Sequence, residues 1–347
     1  MTDISIRNVK VLDGTGSPAF DADIEIQDGR IKTVGTAGPA KLEIDGQGAH
    51  IAPGFIDTHS HDDGAFFRYP GMAFKLAQGV TTVVAGNCGF SAIPADPSID
   101  PARASGGILA GVEAGFTDLN GYFEAVMGKQ PGINNMMLVG HNTVRAIVMG
   151  MAKRAPTQTE LQHMYGLVEQ AMEQGACGFS TGLIYTPGKW SQTEEIITLA
   201  RAAKTTGALY TTHMRNEGDR LLEAIDESLT IGLESDVHVH ISHHKSAGKQ
   251  NWGKIKDSLA KIDAALGRGQ RVTLDVYPYT AGSGRMIEYF NLENINRDFA
   301  EVIRIASCPP FRDYEGRMLI DIASEQAIDI SDLVRTILTA PKGERTI

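Results

Sequence analysis

The chain has 347 residues, 42% of them hydrophobic and 21% charged, with a formal net charge of −10 at pH 7. That composition suits a globular protein with a large core, and its negative balance argues against a nucleic-acid partner. No run reaches the roughly 18 apolar residues of a membrane span, the N-terminus carries no apolar leader, and Cys88, Cys177 and Cys308 are an odd set of thiols; together these predict a protein of the reducing cytoplasm without disulfides or a membrane partner.

Residues 1 to about 50 alternate short strands with turns: Ile4–Leu12, Ala22–Ile26, the turn Gln27-Asp28-Gly29-Arg30, then Ile31–Val34. The Asp28-Gly29 pair is a hairpin signal. This stretch predicts a small N-terminal β domain over 1–53, part of a β-sandwich that needs further strands. From Ile51 the rhythm becomes strand, loop, helix, with strand patterns at 51–59, 80–86, 136–141, 177–181, 208–213, 237–243 and 271–277. Helical periodicity marks Thr157–Gln174, opened by Thr-x-x-Glu, and Gln192–Thr206. Alternating strands and helices predict an α/β fold, a (β/α)₈ TIM-like barrel over 54–347. Only seven barrel strands are legible, so the chain reads as stopping before an eighth. Residues of about 280–335, entered through Gly282 and Gly284, predict a lid-like insertion.

Candidate metal ligands recur at the predicted strand ends. His59 and His61, two apart, share one face where an apolar strand closes. An isolated pair of this kind is as often a core or capping pair as a metal site, but Asp57, Asp62 and Asp63 beside it resemble carboxylates that orient ligand rings, although loop capping suits at least one of them. Cys88 lies in Gly86-Asn-Cys-Gly-Phe, where glycine on either side allows close approach. His213 and the His243-His244 pair end later strands. Of that pair His243 is the candidate, on the reasoning that Val239, Ile241 and His243 share a face and His244 turns away. His238 and His240 are expected on the opposite face or near the bottom, His50 and His163 at the surface, and Cys177 and Cys308 in structural roles; His141 stays open. A thiolate among imidazoles favours zinc.

These residues bring a resemblance with them. The segments Pro53-Gly-Phe-Ile-Asp-Thr-His-Ser-His-Asp-Asp, Gly86-Asn-Cys-Gly, Ser180-Thr-Gly-Leu-Ile-Tyr-Thr-Pro-Gly, His213-Met-Arg-Asn-Glu, Ile241-Ser-His-His-Lys and Asp275-Val-Tyr-Pro-Tyr run in the order found in the amidohydrolase superfamily. The chain resembles its N-acyl-D-amino-acid deacylases, the D-aminoacylases. The resemblance implies zinc-dependent hydrolysis of the N-acyl bond of a small N-acyl-D-amino acid, giving a carboxylate and a free D-amino acid. It implies one tight Zn²⁺ on Cys88, His213 and His243, with His59 and His61 near a second, weaker position that shares the sulfur. Lys245, Tyr277 and Ser283 are implied at the substrate carboxylate, and Tyr185 beside the scissile carbonyl. Tyr277 also reads as a core residue and Lys245 as a surface charge. The strand Cys177-Gly-Phe-Ser-Thr-Gly offers no bridging lysine. The family's catalytic aspartate sits in an eighth-strand Ser-Asp-Gly, a tripeptide this sequence does not contain; these 347 residues alone are therefore expected to turn over little substrate. Two other readings are a cyclic-amide hydrolase of the dihydroorotase or hydantoinase kind and a non-catalytic barrel used for interaction. The sequence leaves the oligomeric state unknown.

Overall fold

The computed structural model describes residues 2–113, 115–204, 206–290 and 292–347. The chain divides into two compact units, Met1–Asp57 with Met72–Val83 and Gly132–Asn134, and Thr58–Gly71 with Val84–Pro131 and Asn135–Ile347.

The first unit is built on a mixed sheet. Its strands are β1 (Thr2–Val11), β2 (Phe20–Gln27), β3 (Arg30–Gly35), β4 (Ala40–Asp45) and β5 (His50–Ile51), ordered β3-β2-β1-β4 with β5 beside β1. Asp28 and Gly29, at φ 52° and 70°, form the left-handed pair that an Asp-Gly hairpin requires. Val9, Val11 and Ile24 form a small apolar core. The described residues supply one layer of the expected sandwich. The sequence reading did not resolve β4, which runs parallel to β1.

The parallel sheet takes β6 (Phe55–Asp57), β7 (Val80–Ala85), β8 (Asn134–Gly140), β9 (Gly178–Gly182), β10 (Leu209–His213), β11 (His238–Ile241) and β12 (Val272–Leu274), in the order β12-β11-β10-β9-β8-β7-β6. Each of the seven overlaps a predicted stretch, and among the described residues they form one parallel sheet of the α/β kind. The helix predicted from Thr157 spans Gln158–Glu173, and its opening is a complete capping box. Thr157 Oγ1 accepts from Glu160 N at 3.2 Å, and Glu160 Oε2 accepts from Thr157 N at 2.7 Å; such a cap stabilises a helix by about 1 kcal/mol. The stretch Gln192–Thr206 forms a helix over Thr193–Lys204, while Thr205 lies outside the described residues.

Alternation along the strands sorts two faces. Phe179, Tyr210, Val239 and Ile241 are fully buried, and a methyl group on Gly232 of the helix Leu221–Ser235 would overlap Val239. Those side chains therefore face the helices. Ser180, Thr211, His213, His240 and Thr273 occupy the other parity and face the sheet's concave side.

The predicted lid region folds around an apolar core of its own, from Met286 through Tyr314 and Leu319 to Leu338. It continues past the expected end at 335: Met286 N donates to Thr346 O and Ala306 N to Ile347 O. Asn291 lies outside the described residues. Among those described, no helix is long and apolar enough to cross a membrane.

Candidate metal centre

Cys88 sits in a loop whose shape is dictated by close backbone contact. Gly86 has φ 80°, and a Cβ there would overlap Leu138 O; a Cβ on Gly182 would overlap Cys88 O. Glycine at both positions lets residues 86–90 lie directly on the ends of β8 and β9. Side chains then fix the loop. Ser180 Oγ donates to Gly86 O at 2.5 Å and accepts from Gly89 N at 3.1 Å. Asp63, fully buried, accepts from Gly86 N at 3.2 Å and Ala92 N at 2.9 Å. Burial pushes the Asp63 carboxyl up to about 6 against those two hydrogen bonds.

The result presents one sulfur to two rings. Cys88 Sγ lies 3.4 Å from His59 Nε2 and 3.5 Å from His243 Nε2. The His213 and His243 ring centroids are 4.4 Å apart, those of His59 and His243 5.0 Å, and those of His59 and His61 5.6 Å. The ligand atoms of Cys88, His213 and His243 all lie within 4.8 Å of one another, as do those of His59, His61 and Cys88. All five expected ligands thus come together, in two triads that share the sulfur.

Two observations test this donor set against a soft divalent ion. His213 is 3% exposed, and neither of its ring nitrogens has a hydrogen-bond partner among the described residues. A buried polar group left in that state costs about 1–3 kcal/mol, and burial pushes this ring down to about 3, leaving it neutral with a lone pair to give. The Cys88 thiol is pushed well up by burial, with Glu217 and Asp275 adding to the effect. A thiolate here calls for a cation, and sulfur with imidazole nitrogen is a zinc-type set. Cys88 and His243 also sit at positive φ, 53° and 36°. Such strain is stored where the surrounding structure demands it, often at functional sites.

Carboxylates from elsewhere in the chain hold the rings. Glu217 Oε1 is 2.9 Å from His243 Nδ1 and 2.7 Å from Lys245 Nζ, and Glu217 Oε2 is 3.8 Å from His213 Nε2. Asp275 Oδ2 is 3.1 Å from His59 Nδ1 and 2.9 Å from His240 Nε2, while Asp275 Oδ1 accepts from His243 N at 2.6 Å. Both carboxyls are held far below the usual range despite burial, Glu217 by His213, His243 and Lys245, and Asp275 by His240 and His59.

Asp63 caps the Cys88 loop through backbone N–H groups, as expected of at least one acid beside the histidine pair, while Asp275 and Glu217 lie against the rings of His59 and His243. Two other expectations need correction. His243 does reach the cluster, but not by strand alternation: Val239 and Ile241 face the helices, β11 ends at Ile241, and the left-handed turn at His243 redirects its ring. His240 is not remote, since it shares Asp275 with His59. His141 is fully buried, its Nε2 2.8 Å from Glu195 Oε1 beside Arg145. That triad binds the strand end to the helix Thr193–Lys204.

Around the rim, the Tyr185 ring stands 4.7 Å from His213, and burial keeps its phenol protonated. Lys245 Nζ lies 5.6 Å over the Tyr277 ring. The phenol of Tyr277 closes on Gly282, and Ser283 is exposed. Tyr289, absent from the sequence reading, closes on Gly284, and burial pushes its phenol up to about 12. Glu217 and Asp275 both stood within family-like segments, yet only the fold reveals which ring each meets.

Residues 42–306 match the amidohydrolase family. The N-acyl-D-glutamate deacylase of Alcaligenes xylosoxydans xylosoxydans is 39% identical over 340 residues, covering 97% of this chain and 68% of its own length. The D-aminoacylase of the same organism is 38% identical, covering 96% of this chain and 67% of its own. The crystal structure of an N-acyl-D-glutamate deacylase from Bordetella bronchiseptica, complexed with zinc and a phosphonate mimic of the tetrahedral intermediate, superposes with a TM-score of 0.86 at 40% identity, over 96% of this chain and 69% of that one. The chain spans about two thirds of the length of these relatives. On motif order, fold and similarity, it belongs to the amidohydrolase family, in the branch of the N-acyl-D-amino-acid deacylases.

Proposed function

We propose that this chain serves the zinc-dependent hydrolysis of N-acyl-D-amino acids to a carboxylate and a free D-amino acid. The observation that carries this is the Cys88 sulfur set between His59 and His243, with the His213 ring buried beside it and without a hydrogen-bond partner among the described residues. Cys88, His213 and His243 would hold the tight ion, and His59 and His61 with the same sulfur the weaker one. Bound there, zinc supplies a Lewis acid that polarises a carbonyl and lowers the pKa of water toward about 7.

The chain's own residues do the rest. Asp275 accepts from His59 Nδ1–H, which keeps Nε2 of that ring turned to the sulfur, and Glu217 Oε1, 2.9 Å from His243 Nδ1, holds the His243 ring together with Lys245 Nζ at 3.0 Å. The Tyr185 phenol, kept neutral, donates to the amide oxygen as negative charge gathers there; one such donor is worth about 3–4 kcal/mol. The Lys245 ammonium, already anchored by Glu217 at 2.7 Å, meets the substrate carboxylate with the hydroxyls of Tyr277 and Ser283. In this reading 1–53 is a β domain and 54–347 the catalytic barrel, with a lid-like insertion at about 280–335. The protein works on a small molecule in the cytoplasm, with no nucleic-acid or membrane partner.

Titration of the zinc-loaded chain with N-acetyl-D- and N-acetyl-L-amino acids tests the proposal without requiring turnover. Saturable binding that favours the D form supports it; equal binding, or none, overturns it.

A further inference from the structure

The concave side of a barrel sheet is usually filled by branched apolar side chains. On β11 and β12 it is filled by polar ones, and they form one file. His238 Nε2 lies 3.0 Å from Thr273 Oγ1, Thr273 Oγ1 lies 2.9 Å from His240 Nδ1, and His240 Nε2 lies 2.9 Å from Asp275 Oδ2. The same Oδ2 is 3.1 Å from His59 Nδ1, and His59 Nε2 is 3.4 Å from Cys88 Sγ.

With the rings neutral, one arrangement of protons satisfies these contacts. A carboxylate accepts and does not donate, so both rings beside Asp275 must give it a hydrogen: Nε2–H from His240 and Nδ1–H from His59. His240 Nδ1 is then an acceptor and takes the Thr273 hydroxyl proton. The Thr273 oxygen in turn accepts Nε2–H from His238. Every bond donates toward Asp275, and the file ends by leaving the His59 Nε2 lone pair facing the sulfur.

We infer that His240 is a positioning residue for the proposed metal centre: held by Thr273, it fixes the Asp275 carboxylate and, through it, the tautomer and direction of His59. His240 meets the proposed centre through Asp275, whose Oδ2 it shares with His59. Partners that orient a ligand ring in this way typically contribute about 10–100-fold in metal affinity. The inference rests on the metal-centre reading above but differs from it in what is measured.

The test compares wild type with His240→Phe, His240→Gln and Thr273→Val. In the metal-free chain, ¹⁵N NMR of the imidazole groups reports the His59 tautomer directly, with His59→Asn used to assign its signals. Wild type is expected as the Nδ1–H form. His240→Phe is expected to shift the population toward Nε2–H, and His240→Gln, which offers an amide donor to Asp275, to restore it in part. Zinc competition with a chelator then reads affinity, and His61→Ala marks which binding step belongs to the His59 and His61 position. His240→Phe is expected to weaken that step roughly 10-fold or more, with His240→Gln intermediate. Thr273→Val, which keeps the shape of the side chain, is expected to weaken it in the same direction and by less. An Nε2–H wild-type ring, or a tautomer and zinc step unmoved in both His240→Phe and Thr273→Val, overturns the inference. Failure of wild type to bind zinc would instead overturn the metal-centre reading, with the tautomer still measured.

Discussion

Glu217 and His243, separated by a full strand-helix repeat, meet at the rim with the carboxylate Oε1 2.9 Å from ring Nδ1. The same oxygen takes Lys245 Nζ at 2.7 Å, so one buried acid orders both a proposed ligand and a proposed substrate contact. Glu217→Gln keeps the shape and removes the charge. Zinc affinity of the loaded chain is expected to fall about 10–100-fold in chelator competition. Unchanged affinity would separate Glu217 from the centre.

Asp63 makes acid stability of the metal-free chain informative. Its carboxyl is raised from 3.8 to about 6 by burial. A group raised in the folded state holds its proton there longer than in the unfolded state, so its contribution is fully present below about 4 and lost as pH rises through about 6. The linked change is on the order of 3 kcal/mol. Urea unfolding of wild type between pH 4 and 6 is expected to show this decline, and Asp63→Asn, which does not titrate, to flatten it. Parallel profiles for the two proteins would remove Asp63 as the source.

Lys245 tests the carboxylate contact. Lys245→Ala is expected to weaken binding of N-acetyl-D-amino acids to the zinc-loaded chain about 10- to 100-fold, the scale of a lost charge-assisted hydrogen bond. Affinity for the corresponding uncharged amides is expected to stay the same. Equal losses for acid and amide would place Lys245 in a structural role.

The loop around Cys88 depends on a residue without a side chain. Gly86→Ala combines a φ of 80° with overlap of Leu138 O. It is expected to destabilise the metal-free chain by about 1–3 kcal/mol in urea unfolding and to lower zinc content with it. Wild-type stability and full zinc content together would show that the loop has room to spare.

Much of this was legible in the linear chain because its signals are local. The strand-loop-helix rhythm marked the seven parallel strands, Asp28-Gly29 the first hairpin, and Thr157-x-x-Glu160 a helix start that the structure resolves as a capping box. The five proposed ligands stood out because imidazole and thiol groups at strand ends are chemically conspicuous. What remained hidden is relational. Strand parity placed His243 with Val239 and Ile241, whereas a left-handed residue after the strand end sets its direction, and no residue type announces such a turn at histidine. Asp63 lies two residues from His61 yet reaches across to Gly86 and Ala92, while the carboxylate on His59 comes from Asp275, 216 residues away. Proximity in sequence was the wrong guide to which acid meets which ring. His240 was set aside on strand parity, which put it opposite His243, although its partner Asp275 lies on the neighbouring strand's continuation.

The central claim is that one sulfur and several imidazoles gather on a zinc ion, and X-ray absorption at the zinc edge of the loaded chain reads it most directly. The expected spectrum contains a sulfur scatterer at about 2.3 Å together with nitrogen scatterers at about 2.0–2.1 Å, and Cys88→Ala removes the sulfur shell along with most of the bound metal. A spectrum of nitrogen and oxygen alone in the wild-type chain, or zinc retained in full by Cys88→Ala, would contradict it.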